Sequence, residues 1–424
     1  MHLDIDSHNA SGLSKHEKRF EFLAGQLNDA GIDASAVVER LSAFQVAIPS
    51  WALGTGGTRF ARFPGGGEPR NLEEKIADVG LIHALTRTAG AISLHIPWDI
   101  PEDAHAIREL AASHDLRFDA VNSNTFQDQS DQEHSYKFGS LCHMNASVRQ
   151  QAIEHNLAVI EYGKDLGSRS LTVWLADGAG FPGQHNFRHA LFNTRDSLRQ
   201  IYAGLPADWR LFIEYKPYEP NFYATVIQDW GTSHFLAQSC GERAHCLVDL
   251  GHHLPNTNIE QIVATLLAVG RLGGFHFNDS KFGDDDLTVG SIKPYQLFLI
   301  FHELVWGMAN NLADNPPISY MIDASHNLKD PLEDLMQSLE SILEAYARAL
   351  TIDHVALDAA QMDNDVLAAE AILQAAFRTD VRPLLRESRL RTGGALDPIG
   401  VYRDSTARKQ LIRERGDKTI ATGL

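Results

Sequence analysis

Short apolar runs alternate with longer amphipathic segments between residues 46 and 340. Most of the longer segments repeat apolar residues at helical spacing, whereas the short runs are rich in β-branched and aromatic residues. Strands that alternate with helices predict a parallel sheet, and eight repeats predict a closed (β/α)8 TIM barrel over residues 46–340. The eight predicted strands are VAIPSW (46–51), AISLHIPW (91–98), RFDAVNS (117–123), SLTVWLAD (170–177), RLFIEYKP (210–217), HCLVDLGH (245–252), GGFHFND (273–279) and ISYMIDAS (318–325).

The two ends of the chain predict helices outside the barrel. Residues 1–45 form an N-terminal helical segment in this interpretation, with Asp33 as the N-cap of its second helix. Residues 341–424 are too long for one closing helix and predict a C-terminal helical extension at a subunit interface. The glycine-rich strings GTGGTRF and PGGGEP lack the spacing of a dinucleotide-binding turn, so they are interpreted as loops.

Composition and charge exclude several classes of partner. The 424 residues have a formal net charge of -18 and no run rich in Lys or Arg, which argues against nucleic acid or an anionic membrane surface. The first 20 residues lack the apolar core of a signal peptide, and no apolar run approaches the roughly 18 residues of a spanning helix. The three cysteines lack the spacing of a disulfide framework. These features predict a cytoplasmic protein with free thiols.

Polar residues end most of the predicted strands, where a barrel of this kind has its active site. Glu214, Asp249, His276 and Asp323 come from the last four strands, which are neighbours in the barrel. Any one of them alone is explained by hydrogen bonding at the rim. Four ionisable groups on successive strands are costly to bury unless they are paired or bind a metal. Carboxylates with one imidazole suit Mn²⁺ or Mg²⁺, and are compatible with Co²⁺ or Zn²⁺.

A second polar set lies beside the first. His252 follows Asp249 by three residues, and the string FGDDD contributes Asp284 and Asp286. Two aspartates separated by one residue can turn to the same side of an extended loop and share a cation, whereas a solvated acidic turn is the alternative. Lys216 is predicted to point to the same side as Glu214, either to hold a substrate oxygen or to complete an ion pair.

Aromatic residues are interleaved with these polar groups. Trp51, Trp98, Phe126 and Trp174 follow different strands, and His95 lies beside them in sequence. This mixture suits a sugar, because an aromatic ring can cover its apolar face while polar groups bind its hydroxyls. For Trp51 and Phe126, packing in the barrel core is an equally good interpretation.

Several longer motifs are more specific than this pattern. The chain from about residue 45 to 335 resembles the bacterial L-rhamnose isomerases of broad aldose specificity, within the xylose-isomerase-like barrels. The similarity is weaker at both ends and in the segment 306–319. The motifs that carry it are PSWALGTGGTRFARFPG, SLHIPWD, NSNTF, HSYKFGSL, TVWLADG, EYKPYEP, VDLGHH, PNTNIE, GGFHFNDSKFGDDDL and MIDASHN.

The resemblance implies a two-metal site in a homotetramer, with two divalent ions per subunit, Mn²⁺ being favoured. It implies a structural metal held by Glu214, Asp249, His276 and Asp323, and a catalytic metal held by His252, Asp284 and Asp286, with Asp249 between the two. It also implies that the loop with Phe60 reaches a neighbouring active site. The expected catalytic residues are Asp323, Lys216, Asp286 and His252, and the expected substrate-binding residues are Trp51, His95, Trp174, Phe126, Glu214, Lys216 and Phe60.

The activity implied by the resemblance is reversible aldose–ketose isomerisation. L-rhamnose and L-rhamnulose are the expected pair, and aldoses such as D-allose, with D-allulose as ketose, are further substrates. Hydrogen would pass between C1 and C2 by a metal-assisted hydride shift, with an ene-diol route through Asp323 or Glu214 as the alternative. A ketose 3-epimerase on the same barrel and a non-catalytic sugar-binding protein are alternatives. A metal-dependent endonuclease is disfavoured by the charge of -18.

Overall fold

The strands form at the eight predicted places, with a short additional ribbon. The computed structural model describes residues 3–53, 65–219, 222–310, 316–324 and 328–418. Within these ranges the strands are β1 (Ala47–Pro49), β2 (Ala91–Ile96), β3 (Arg117–Ser123), β4 (Ser170–Val173), β5 (Gly178–Ala179), β6 (Arg210–Glu214), β7 (Ala224–Thr225), β8 (Ala244–Asp249), β9 (Leu272–Phe277) and β10 (Ser319–Ile322).

Eight strands close into a parallel barrel in the order β1-β10-β9-β8-β6-β4-β3-β2, while β5 and β7 form a separate antiparallel ribbon. The predicted (β/α)8 TIM barrel is therefore confirmed. The register of adjacent strands fixes which side chains become neighbours: Asp249 on β8 lies opposite His276 on β9, and His276 lies opposite Met321 on β10. The carboxyl ends of β8, β9 and β10 thus meet at one arc of the rim.

Helices cover the outside of the barrel and both ends of the chain. A single 3-10 turn (Ser50–Ala52) follows β1. Among the described residues, no helix has the length and apolar character needed to span a membrane. The helices are α1 (Ile5–Asp29), α2 (Ala34–Ala43), α3 (Leu72–Thr86), α4 (Ala104–Ser113), α5 (Ala146–Leu166), α6 (Phe187–Ala203), α7 (Trp230–Cys240), α8 (Ile259–Ala268), α9 (Pro294–Asn310), α10 (Pro331–Leu350), α11 (His354–Met362), α12 (Val366–Arg378), α13 (Arg382–Arg391), α14 (Pro398–Asp404) and α15 (Ala407–Arg415).

Aspartate caps begin several of these helices. Asp33 accepts hydrogen bonds from the backbone N–H groups of Ser35 and Ala36, as its sequence position predicts. Asp330 caps α10 in the same way, and Pro331 occupies the first turn, where a missing N–H costs nothing. Asp4 caps α1, and its side chain accepts a hydrogen bond from the N–H of Ser7.

The C-terminal helices share the apolar core of the barrel. Leu384 and Leu385 on α13 are fully buried in the same cluster as the barrel residues, and α13 packs against α1, α2 and α10. The predicted boundary at residue 340 falls inside α10, which is continuous through Leu350. The division into three segments at residues 45 and 340 remains a prediction about sequence organisation.

We expect Leu384→Ala to destabilise the whole molecule, because the substitution leaves a cavity in a core that the extension and the barrel share. The expected loss is about 2–5 kcal/mol of unfolding free energy, which urea denaturation followed by circular dichroism would measure. Val366→Ala on α12, where the side chain is 75% exposed, is the control and should change stability by less than about 0.5 kcal/mol. An unchanged urea midpoint for Leu384→Ala would contradict the shared core.

Candidate functional site

A cavity of about 290 Å³ opens at the carboxyl ends of the barrel strands. Residues at the ends of β2, β3, β6 and β9 supply part of its wall, and the segments that follow the eight barrel strands supply the remainder. All the predicted polar residues except Asp249 line it directly, and Asp249 lies beside them. The lining residues are Trp51, His95, Trp98, Asn122, Ser123, Phe126, Trp174, Ala176, Glu214, Lys216, Glu219, His252, His276, Asp284, Asp286 and Asp323.

The first predicted set converges on one point. Glu214, Asp249, His276 and Asp323 each offer a ligand atom within 4.8 Å of the others. Nδ1 of His276 is the centre of the group, at 3.3 Å from Oε1 of Glu214, 3.4 Å from Oδ2 of Asp323 and 3.8 Å from Oδ2 of Asp249. Three of the four side chains are buried. The arrangement has the donor types and proximity of a hard divalent metal site.

The hydrogen bonds of the cluster show whether its side chains are suited to bind a cation. Oδ1 of Asp249 accepts hydrogen bonds from the Gly251 N–H at 2.7 Å and from Nδ2 of Asn278 at 2.9 Å, which fixes the carboxylate. Its Oδ2 has no hydrogen-bond partner among the described residues, and Nδ1 of His276 makes only the ion-pair contacts of 3.3 Å or longer given above. Buried groups of this kind are costly unless something else satisfies them. One oxygen held by the protein and one directed at the cluster is what a metal-binding carboxylate requires.

The charges of the cluster are mutually dependent. Burial raises the pKa of Glu214, but the charge of His276 and the contact with His252 outweigh it and bring the pKa to about 2. Burial raises the pKa of Asp249 to about 7 although His252 opposes the rise. Burial opposes protonation of His276, yet the carboxylates of Glu214 and Asp323 raise its pKa to about 10. Without a cation, protons therefore supply the positive charge that the carboxylates need.

The three aspartates after β9 have three different environments. Oδ1 of Asp284 lies 3.1 Å from Nε2 of His252, whose Nδ1 lies 3.1 Å from Oε1 of Glu214, so His252 joins the two predicted sets. Oδ2 of Asp285 accepts from the N–H groups of Lys281 and Phe282 and closes the loop on itself. Asp286 lines the cavity, and burial followed by the charge of Asp284 raises its pKa well above the ordinary value.

The sequence analysis assumed an extended loop after β9, but the loop in the structure is not extended. Asp284 and Asp286 both have φ values of 49°, in the left-handed region that aspartate tolerates better than most residues. Gly283 has a φ of 144°, a backbone conformation that L side chains rarely adopt, and a Cβ there would also clash with the hydroxyl of Tyr218. Glycine is therefore strongly favoured at this point, and the turn that follows brings Asp284 and Asp286 to the cavity.

Lys216 is held between two acids. Its Nζ lies 2.5 Å from Oδ2 of Asp284 and 2.5 Å from Oε1 of Glu219, and the ammonium lies 5.3 Å from the ring centre of Trp174. The sequence interpretation missed Glu219, although it lies in the quoted string EYKPYEP, three residues beyond Lys216. The lysine is thus ion-paired and also lines the cavity.

The aromatic residues form one continuous wall. Ring centres are separated by 5.3 Å between Trp51 and His95, 5.5 Å between His95 and Phe126, and 4.7 Å between Phe126 and Trp174. Nε1 of Trp51 donates to Oδ1 of Asp323 at 2.9 Å, which links the wall to the acid cluster. Burial lowers the pKa of His95 to about 4, so its ring is neutral at pH 7. Phe60 lies outside the described residues.

Other acids at strand ends serve the loops instead of the cavity. Asp177 accepts from the N–H groups of Ser140 and Cys142, and Asp279 accepts from those of Ile292 and Lys293. A carboxylate satisfied in this way has no free oxygen directed at the cluster. Asp249 is the last residue of β8, whereas Asp177 and Asp279 lie beyond the ends of β4 and β9, where loop N–H groups reach both oxygens of each carboxylate.

The fold and this cavity define the class of protein: a (β/α)8 barrel with a candidate active site at the carboxyl ends of the strands. A probable sugar isomerase of Rhizobium meliloti is 52% identical over 411 residues, which cover 97% of this chain and 95% of the relative. A second probable sugar isomerase, from Mesorhizobium japonicum, is 51% identical over 419 residues, which cover 99% and 97% of the two chains. The chain belongs to this family of sugar isomerases.

More distant comparisons agree with the fold. A xylose isomerase of Thermus thermophilus is 26% identical over 240 residues, covering 52% of this chain and 60% of that protein. The crystal structure of a 3-keto-D-glucoside 4-epimerase from E. coli superposes with a TM-score of 0.50 at 12% identity, over 70% of this chain and 98% of the epimerase. That likeness concerns the barrel alone. No family model matches the chain.

We expect His276→Ala to abolish high-affinity binding of Mn²⁺ and to remove the thermal stabilisation that the ion gives, because the imidazole is the centre of the cluster. Calorimetric titration of chelator-treated protein with MnCl₂, paired with melting curves, would measure both effects. His245→Ala is a matched control, since His245 is also a buried strand histidine but is not among the residues that line the cavity. Mn²⁺ affinity that survives in His276→Ala would remove this residue from the ligand set.

Acid should weaken binding of Mn²⁺. In the metal-free protein His276 has a pKa of about 10 and Asp249 one of about 7, so both must lose protons when a cation binds. We expect at least one proton to be released per ion, and the apparent affinity to fall by more than about tenfold when the pH is lowered from 7 to 6, since His276 alone accounts for tenfold. Titrations in buffers of different ionisation enthalpy would count the protons. A constant affinity between pH 6 and 8 would contradict this arrangement.

Proposed function

We propose that this sugar isomerase is a metal-dependent aldose–ketose isomerase of the L-rhamnose isomerase type. It converts L-rhamnose to L-rhamnulose and also interconverts aldoses such as D-allose with their ketoses. It uses two divalent ions per subunit, with Mn²⁺ as the favoured ion, and works as a homotetramer. The motifs from residue 45 to 335 support the choice of substrate.

The observation that carries the proposal is that an acid cluster and an aromatic surface line the same cavity and contact each other. One wall holds the carboxylates and imidazoles of the acid cluster, and the other holds the aromatic rings, joined by the hydrogen bond from Trp51 to Asp323. An open-chain sugar lying against the rings would present the oxygens on C1 and C2 to the cluster. A site for metal alone would have no need of the aromatic wall.

The ligands divide into two groups in this proposal. Glu214, Asp249, His276 and Asp323 hold a structural ion, and His252, Asp284 and Asp286 hold a second ion, with Asp249 between them. When bound, the ions would polarise the oxygens on C1 and C2 and neutralise the negative charge that develops there. His95 is neutral at pH 7 and can exchange a hydrogen bond with a sugar hydroxyl, while Trp174 and Phe126 exclude water from the chain of the substrate.

Lys216 is proposed to bind a sugar oxygen from its position between Asp284 and Glu219. Asp323 and Asp286 are the groups proposed to move the hydroxyl proton, because both face the cavity, Asp286 from the loop after β9 and Asp323 from the end of the adjacent strand β10. A hydride shift is proposed for the hydrogen on carbon, since the other carboxylates are committed as ligands or paired with Lys216. In that route the hydrogen leaves C2 with its electron pair and arrives at C1.

The test of the proposed function is reversible loss of activity with metal. Protein dialysed against EDTA should not convert L-rhamnose, D-allose or D-allulose, and added Mn²⁺ should restore aldose–ketose exchange, followed by chromatography of the sugars. Lys216→Met should bind Mn²⁺ yet lose most of its turnover. Formation of D-fructose from D-allulose without any aldose would instead indicate a ketose 3-epimerase. Sugar binding without turnover would indicate a binding protein.

The hydride route has its own test. Turnover of a 2-deuterated aldose in ordinary water should leave the deuterium on C1 of the ketose, because a hydride shift never releases the hydrogen to solvent. Proton NMR of the product would measure the retained label. Complete washout would exclude the hydride shift and favour the ene-diol route, in which Asp323 or Glu214 acts as base.

A further inference from the structure

A buried ion pair lies directly behind the aromatic wall. Nζ of Lys75 on α3 is 2.6 Å from Oδ1 of Asp99, in the loop after β2, and the side chains are 2% and 1% exposed. Neither residue is among those that line the cavity. Lysine and aspartate are rarely buried this completely, and the proposed reaction has no use for either charge.

The second oxygen of Asp99 joins two strand ends. Oδ2 accepts a hydrogen bond from Oγ of Ser50 at 2.5 Å and another from the N–H of His95 at 2.9 Å. Ser50 begins the 3-10 turn that follows β1, and His95 lies near the end of β2. One carboxylate therefore connects α3, β1 and β2.

The residues next to these anchors form the cavity wall. Trp51 follows Ser50 and donates to Asp323, and its ring meets the ring of His95 edge-on at 5.3 Å between centres. The ring of Trp98 covers His95 from another side at 4.4 Å. Any displacement of Asp99 would move the backbone under Trp51 and His95, and would change the shape of the wall.

Desolvation offsets most of the attraction within a buried ion pair, so stability alone is a weak reason for one. We propose that the Lys75–Asp99 ion pair is the positioning element of the sugar-binding wall. Lys75 orients Asp99, and Asp99 holds Ser50 and the His95 backbone so that Trp51 and His95 meet the sugar in one arrangement. Both are positioning residues that do not touch the substrate. The inference rests on the proposed function, and deepens it by assigning sugar affinity to this pair.

The experiment compares Lys75→Met and Asp99→Asn with the wild-type holoenzyme loaded with Mn²⁺. We expect KM for L-rhamnose to rise about tenfold or more while kcat stays within about threefold, because the wall binds the sugar and the acid cluster performs the chemistry. Affinity for Mn²⁺ should stay within about twofold of wild type, since no proposed ligand contacts the pair. Ser50→Ala, which removes one hydrogen bond and keeps the ion pair, should raise KM less but in the same direction.

Arg389→Met is the control for general destabilisation. Arg389 is 3% exposed and pairs with Glu340 between α13 and α10, remote from the cavity. At a temperature where the variants are equally folded, its KM should equal that of wild type. The proposal is overturned if Lys75→Met and Arg389→Met change KM equally. It is also overturned if Lys75→Met fails to fold and Ser50→Ala leaves KM unchanged.

A spectroscopic readout separates this inference from the proposed activity. In protein labelled with 5-fluorotryptophan, the ¹⁹F resonances of Trp51 and Trp98, assigned with Trp→Phe variants, should shift or broaden in Lys75→Met. The resonance of Trp209, buried elsewhere in the core, should not move. If the wild-type protein converts no aldose, the proposed function is wrong. The fluorine spectra still test the positioning role in that case, because they do not depend on activity. Unmoved Trp51 and Trp98 resonances would refute that role whatever the activity.

Discussion

The concentration of carboxylates at the ends of neighbouring buried strands is the constraint on which the site depends. Glu214, Asp249 and Asp323 approach one another within 4.8 Å, at a depth where like charges repel strongly and water screens them little. His276 lies among them, and His252 links them to Asp284. The raised pKa values of the imidazoles and the unsatisfied oxygen of Asp249 have the same cause: the cluster requires positive charge.

This requirement explains why so much of the surrounding chain is specialised. Gly283 passes under Tyr218 so that the following turn can present two acids. Asp285 closes that turn with backbone hydrogen bonds. Lys216 lies between Asp284 and Glu219, which gives Asp284 a fixed partner on the side away from His252. Each of these features holds a charged group in a defined position. A charged side chain that was free to move would be solvated by water and would not contribute to the cluster.

Much of this could be predicted from the sequence, for geometric reasons. Parallel barrel strands bring their carboxyl ends to one rim, so the positions of Glu214, Asp249, His276 and Asp323 along their strands suffice to bring them together. The sequence did not predict how Asp177 and Asp279 are satisfied, because their backbone partners come from loops of unpredictable shape. Nor did it predict the left-handed conformation of Asp284 and Asp286. The pairing of Lys75 with Asp99 joins a helix to a loop with no periodic signal.

The continuity of the apolar core with the C-terminal helices has a consequence for the gene as well as for the protein. Leu384, Leu385, Val401 and Leu411 are buried in the cluster that also packs the barrel helices. A premature stop codon soon after Leu350 would therefore not encode a smaller enzyme with an intact active site. It would encode a chain whose barrel helices expose apolar surface to solvent, and chaperones and proteases act on such chains.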